Sequence, residues 1–197
     1  AYGADTARGA SYVVFGKASG FVANIELSSL NGSTGFKLSG VAVDDLSGNS
    51  VSTAGDVNGD GFADLIVGAW RADTSGYDSG ASYVVFGKAS GFDANVNLSG
   101  LNGTTGFKLS GVTAGDRAGT SVSSAGDING DGFADLIVGA RGADPNGSYS
   151  GASYVVFGKA SGFDANVNLS GLNGTTGFKL SGVAPSDYSG FSVSSAG

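Results

Sequence analysis

Cysteine and histidine are both missing from this chain, and each gap removes a class of chemistry. Without cysteine there is no disulfide, no thiolate metal site and no cysteine nucleophile. Without histidine, Ser-His-Asp triads, zinc-histidine centres and the commonest general base are gone. Proline occurs only twice and charged residues make up 14%, which does not suit long solvent-facing helices. Long apolar runs are lacking too. Stretches such as Tyr83 to Phe86 and Leu65 to Val67 fall far short of a bilayer span, so no membrane insertion is expected. No signal peptide and no initiator methionine are visible; the expectation is a mature portion or an excised piece of a longer protein.

What is present is glycine, 37 of 197 residues, and repetition. Gly-Ala-Ser-Tyr-Val-Val-Phe-Gly-Lys begins at Gly9, Gly80 and Gly151, a period of 71 residues, and Gly80 to Val112 recurs letter for letter as Gly151 to Val183. Within the second period, β-branched and aromatic residues crowd four segments: Ser121 to Ala125, Ala134 to Gly139, Ala152 to Phe157 and Gly177 to Ser181. Gly, Asn, Ser and Asp fill the gaps. Four strands per period are expected. The piece from Phe163 to Asn173 reads as a structured loop whose Phe163, Val167, Leu169 and Leu172 cover a sheet edge.

The two central segments, around Leu-Ile-Val and Tyr-Val-Val-Phe, are continuously apolar. In an antiparallel sheet that requires cover on both faces. A radial stack of four-stranded blades supplies it, so the expected fold is all-β, a partial β-propeller of about three repeats. A β-solenoid coil of about 20–30 residues is too short for this period. The expected layout is a partial blade at 1–48, complete blades at 49–119 and 120–189, and the first strand of a further blade at 190–197. End blades of this kind expose apolar faces and strand edges. The expected partners are therefore further blades of a longer chain, or homo-oligomeric copies.

Each complete period carries one acidic loop, Asp56 to Asp64 and Asp127 to Asp135. Side-chain oxygens stand at alternate positions: Asp56, Asn58, Asp60 and Asp64, with the Phe62 carbonyl between the last two. The second loop offers Asp127, Asn129, Asp131, the Phe133 carbonyl and Asp135 in the same order. Calcium takes six to eight such oxygens, and Gly59 and Gly61 permit the tight turn between them. Asx-rich turns can have this composition without metal, but five oxygens in alternation, twice, point to a calcium ion. An EF-hand would need a glutamate at the twelfth position, where Val67 and Val138 stand. The formal charge is −7, and six of the 17 acidic side chains lie in these loops; such a balance argues against binding a nucleic-acid backbone.

The acidic loop running directly into Asp-Leu-Ile-Val-Gly-Ala, preceded by Ser-Val-Ser-Thr-Ala-Gly and followed by Gly80 to Gly87, resembles the FG-GAP repeats of integrin α-subunit β-propellers and their bacterial relatives. Gly48-Asn49, Gly119-Thr120 and Gly190-Phe191 stand where that family has Phe-Gly, and Trp70 and Arg141 replace the Pro of Gly-Ala-Pro. The resemblance implies structural calcium in hairpin loops between the first two strands of a blade, on a secreted or cell-surface propeller.

Several other residues invite a role. Asp45, Asp116 and Asp187 each stand three positions before a glycine and read as turn formers. Trp70, Tyr77 and Tyr149 fall in the loops after the second strand, where aromatic residues can meet sugars or partners. Arg71, Arg117 and Arg141 do not occupy equivalent positions and read as solvated charges. The favoured function is a non-enzymatic, calcium-stabilised adhesion or interaction scaffold with a protein or glycan ligand. A lectin-like carbohydrate-binding propeller and the non-catalytic propeller region of a secreted enzyme remain alternatives, since propellers host many activities.

Overall fold

The computed structural model describes residues 8–195, so the beginning of the expected partial blade at 1–48 and the last two residues of the chain lie outside the described residues. Among the described residues, twelve strands form three sheets. β1 (Ala10–Val14) pairs antiparallel with β2 (Gly35–Ser39). β3 (Ser50–Gly55), β4 (Asp64–Ala69), β5 (Ala81–Val85) and β7 (Gly106–Ser110) make a four-stranded antiparallel meander. β8 (Ala118–Gly126), β9 (Asp135–Ala140), β10 (Ala152–Val156) and β12 (Gly177–Ser181) repeat it. These are propeller blades. The first is present as its outer pair and the next two are whole.

Blade packing follows from the two-residue side-chain period of a strand. In β4, Ile66 faces the third blade and Val67 faces the first; in β5, Val84 faces the third blade, Tyr83 and Val85 the first. Both faces are buried, which is why these strands read as apolar runs without alternation.

Three features depart from the expectation. The inner strand β8 starts at Ala118, three residues before Ser121, because Ala118 pairs with Ala140 across a register shift. The expected loop at 163–173 contains a strand of its own, β11 (Asn166–Asn168), followed by a single 3-10 turn, Leu169–Gly171. β11 pairs parallel with β7 of the preceding blade, and β6 (Asn95–Asn97) pairs in the same way with β2. Ser110 donates to Asn166 Oδ1 at 2.6 Å, and the Phe163 ring stacks on Phe107 with centroids 4.5 Å apart. The edge is thus covered by a main-chain ladder as well as by side chains. Residues 190–195, expected to open a further blade, carry no strand. β3 and β8 are each held by a following hairpin partner, and no such partner follows residue 195 among the described residues.

Tyr83 and Tyr154 occupy equivalent buried places, each toward the preceding blade. Burial pushes the Tyr154 phenol up to about 12, and the negative charge of Asp116 adds to the rise. A phenol whose folded pKa lies above its unfolded one stabilises the fold fully below pH 10, and that stability is lost as pH rises toward 12. Denaturant midpoints measured from pH 9 to 12 should therefore fall steeply, and Tyr154→Phe should fall less steeply. Equal slopes in the two proteins would contradict the assignment.

Candidate metal-binding loops

The β3–β4 hairpin holds the first acidic loop and the β8–β9 hairpin holds the second. In the first, Asp56 accepts from Asp60 N–H through Oδ1 (3.0 Å) and from Gly61 N–H through Oδ2 (2.9 Å). Asn58 Oδ1 accepts from Asp60 N–H at 3.0 Å, its Nδ2 donates to Asp60 Oδ2 at 2.8 Å, and Asp60 Oδ1 accepts from Phe62 N–H at 2.9 Å. Asp127, Asn129, Asp131 and Phe133 reproduce every one of these bonds within the second loop. Gly59 has φ +71° and Gly61 φ +87°, the left-handed conformations that the turn requires.

The ninth position behaves differently. Asp64 is fully buried. Its Oδ2 accepts from Val57 N–H at 2.9 Å and its Oδ1 from Gly87 N–H at 2.8 Å. Asp135 does the same with Ile128 (2.8 Å) and Gly158 (2.9 Å). This carboxylate therefore ties the start of its loop to the end of the third strand. Burial pushes the Asp64 carboxyl up to about 6; the bonds from Gly87 and Val57 pull it down, and the charges of Asp60 and Asp56 raise it again. Burial likewise raises Asp135.

Asp56 and Asn58, half-buried, and the exposed Asp60 thus share one turn, while Asp64 lies beneath it. Among the described residues no three acidic, histidine or cysteine side chains gather as a metal-binding group. In this arrangement main-chain amides take the carboxylates. The donor chemistry nevertheless fits a hard cation. The oxygens are carboxylate, amide and carbonyl, and Asp56 and Asp60 bear on Asp64 with a repulsion that a divalent charge would relieve.

The first loop is also stitched to the next blade. Ala134 N–H donates to the Asp56 carbonyl and Lys159 N–H to the Val57 carbonyl, both at 3.0 Å. A Cβ on Gly59 would stand 2.4 Å from the Phe133 ring. The second loop has no blade beyond it among the described residues, and the contrast is large. Val57 is 0% exposed and its counterpart Ile128 48%.

The FG-GAP repeat family model matches residues 47–85 and 118–156. The chain thus carries two FG-GAP repeats. Each FG-GAP match begins near the inner strand, takes in the acidic loop and the second strand, and ends with the third strand, at β5 or β10. The acidic loop is therefore the connection at the heart of the matched unit, and the outer strand with its cross-blade partner lies outside it.

The remaining residues singled out from the sequence divide clearly. Asp45, Asp116 and Asp187 close turns by accepting from Ala42, Thr113 and Ala184 N–H at 2.9, 3.0 and 2.7 Å, as turn formers do. Tyr77 is exposed and Tyr149 stacks on Tyr188 with centroids 5.5 Å apart. Arg71, Arg117 and Arg141, expected to be independent solvated charges, instead converge on Trp70. Their separation in sequence concealed this, because the three belong to three different connections, β4–β5, β7–β8 and β9–β10, that the blade stack brings together.

Proposed function

We propose that this FG-GAP protein is a non-catalytic, integrin-like propeller scaffold on a secreted or cell-surface protein, whose acidic hairpins hold structural calcium. The observation that carries the reading is the duplicated loop. Asp56, Asn58, Asp60, the Phe62 carbonyl and Asp64, with Asp127, Asn129, Asp131, the Phe133 carbonyl and Asp135, would supply the oxygens. Calcium would neutralise crowded carboxylates and stiffen a hairpin that braces the adjacent blade through Ala134 and Lys159. Extracellular calcium levels and the absence of cysteine and histidine suit a role in binding partners, not in chemistry. Among the described residues no helix is long and apolar enough to cross a membrane.

An ion bound only by the folded state stabilises it by about 2.7 kcal/mol per site when free calcium is a hundredfold above Kd. Thermal unfolding with millimolar calcium and with chelator tests this. The melting temperature should rise by several degrees with calcium and return on chelation, with magnesium less effective. A transition indifferent to chelator would overturn the structural role.

A further inference from the structure

The two whole repeats differ chiefly in two connections. Residues 42–112 and 113–183 differ at fourteen positions, and twelve of these fall in 42–49 or 70–78 and their counterparts. The other two, Thr53/Ser124 and Val57/Ile128, are conservative. Loops in general are free to vary, yet the acidic loops and the long connection from Phe86 to Thr105 are copied almost unchanged. Apart from those two conservative changes, variation is confined to the stretch leading into each inner strand and the connection following each second strand. These two meet in space. Arg117 N–H donates to the Asp78 carbonyl at 3.0 Å and Gly115 N–H to the Tyr77 carbonyl at 2.8 Å. The rim they form lies at the far end of β4 and β9 from the acidic loops, a strand length of about 17 Å away.

At that rim three guanidinium groups surround the chain's single tryptophan. Arg117, Arg71 and Arg141 lie 5.3, 5.5 and 5.9 Å from the Trp70 ring centroid, and Arg141 also lies 5.5 Å from Phe191. Arg117 and Arg141 are both half-buried, and the Nε of each is buried with no hydrogen-bond partner. Among the described residues the one ion pair in the cluster is Arg71 with Asp78, at 3.6 Å. Sharing one ring holds the guanidiniums within about 12 Å of each other, close to the screening length in 0.1 M salt. The ring faces attract cations but cannot accept the in-plane N–H donors. The Nε of two of these guanidiniums thus remains without an acceptor beside a third group that is paired.

We infer that the Trp70 rim is an oxyanion-binding site, taking a carboxylate or sulfate group of an acidic ligand between Arg117 and Arg141. Such a group offers the acceptor geometry that a guanidinium fork recognises best. Trp70 gathers the guanidiniums by cation–π attraction, and Asp78 pairs with Arg71. The site is independent of the acidic loops.

Because Trp70 is the only tryptophan, its fluorescence reports this site alone. Sodium sulfate and sodium acetate are titrated separately, with sodium chloride added to hold ionic strength constant and calcium fixed, while Trp70 emission is excited at 295 nm. A saturable change is expected with at least one of the two anions, and which one saturates at lower concentration identifies the tetrahedral or the planar group. Arg141→Gln and Arg117→Gln should each weaken the fitted affinity tenfold or more without moving the melting temperature measured in chloride alone. Asp78→Asn, which frees Arg71, should strengthen it severalfold. A response that chloride reproduces, or that never saturates, overturns the inference. So does a response that survives unchanged in both arginine variants. If an arginine variant lowers the melting temperature, Arg141→Lys, which keeps the charge and loses the fork, serves instead; affinity equal to the parent's overturns the inference.

Discussion

Leu109→Ala should cost about 2–5 kcal/mol of stability, and Leu180→Ala under about 1 kcal/mol. The two leucines sit in identical 33-residue sequences, Gly80 to Val112 and Gly151 to Val183. They occupy the same place in β7 and β12. Leu109 is 0% exposed because the third blade and β11 cover it, whereas Leu180 is 47% exposed on the uncovered face of the last blade. Composition, propensity and local strand pairing are matched, so the difference isolates what a neighbouring blade contributes. Urea unfolding of the two variants beside the parent measures it. Equal costs would show that the last face is covered in solution, as a second copy would cover it.

The second large effect belongs to the buried carboxylates. Asp135→Ala leaves Ile128 N–H and Gly158 N–H without their acceptor, and Asp64→Ala does the same to Val57 and Gly87. An unsatisfied buried donor costs about 1–3 kcal/mol, so each variant should lose on the order of 2–5 kcal/mol. Asp64→Ala should be the worse of the two, since Val57 of its loop is buried against the next blade while the equivalent Ile128 is exposed. The loss should persist in chelator, because these bonds exist within the protein. Asp60→Ala and Asp131→Ala remove only exposed acceptors, so their cost in chelator should stay within about 1 kcal/mol. Chemical denaturation in chelator separates the two groups. Comparable losses at positions five and nine would contradict the burial of Asp64 and Asp135 as their distinguishing feature.

Much of this fold was legible because the repeat is so exact. The 71-residue period, the double-faced apolar strands and the turn glycines all pointed to stacked blades, and Leu-Ile-Val in β4 and β9 lies buried apart from the half-buried Leu65 and Ile137. What was illegible was short or non-local. β11 is three residues of Asn-Val-Asn, too brief for a period to register, and its partner β7 lies about 58 residues earlier in the chain. Its ladder partner sets its conformation. Lys88 and Lys159 recur by copying, yet each also lies over an aromatic ring four residues on, Phe92 at 4.8 Å and Phe163 at 4.9 Å. Spacing singles out the loop residues as candidates, but it does not reveal that Asp64 and Asp135 are buried and bonded to main-chain amides. An alternating pattern treats all five oxygens alike; burial by the third strand does not. The Trp70 rim was missed because its arginines stand at unmatched positions, and only blade stacking joins them.

The central claim is that each acidic hairpin binds one divalent ion, and isothermal titration of calcium into chelator-stripped protein tests it most directly. Two sites per chain are expected, falling to one in Asp56→Ala or Asp127→Ala and to none when both are changed. Absence of binding at millimolar calcium, or two sites surviving in the double variant, would contradict it.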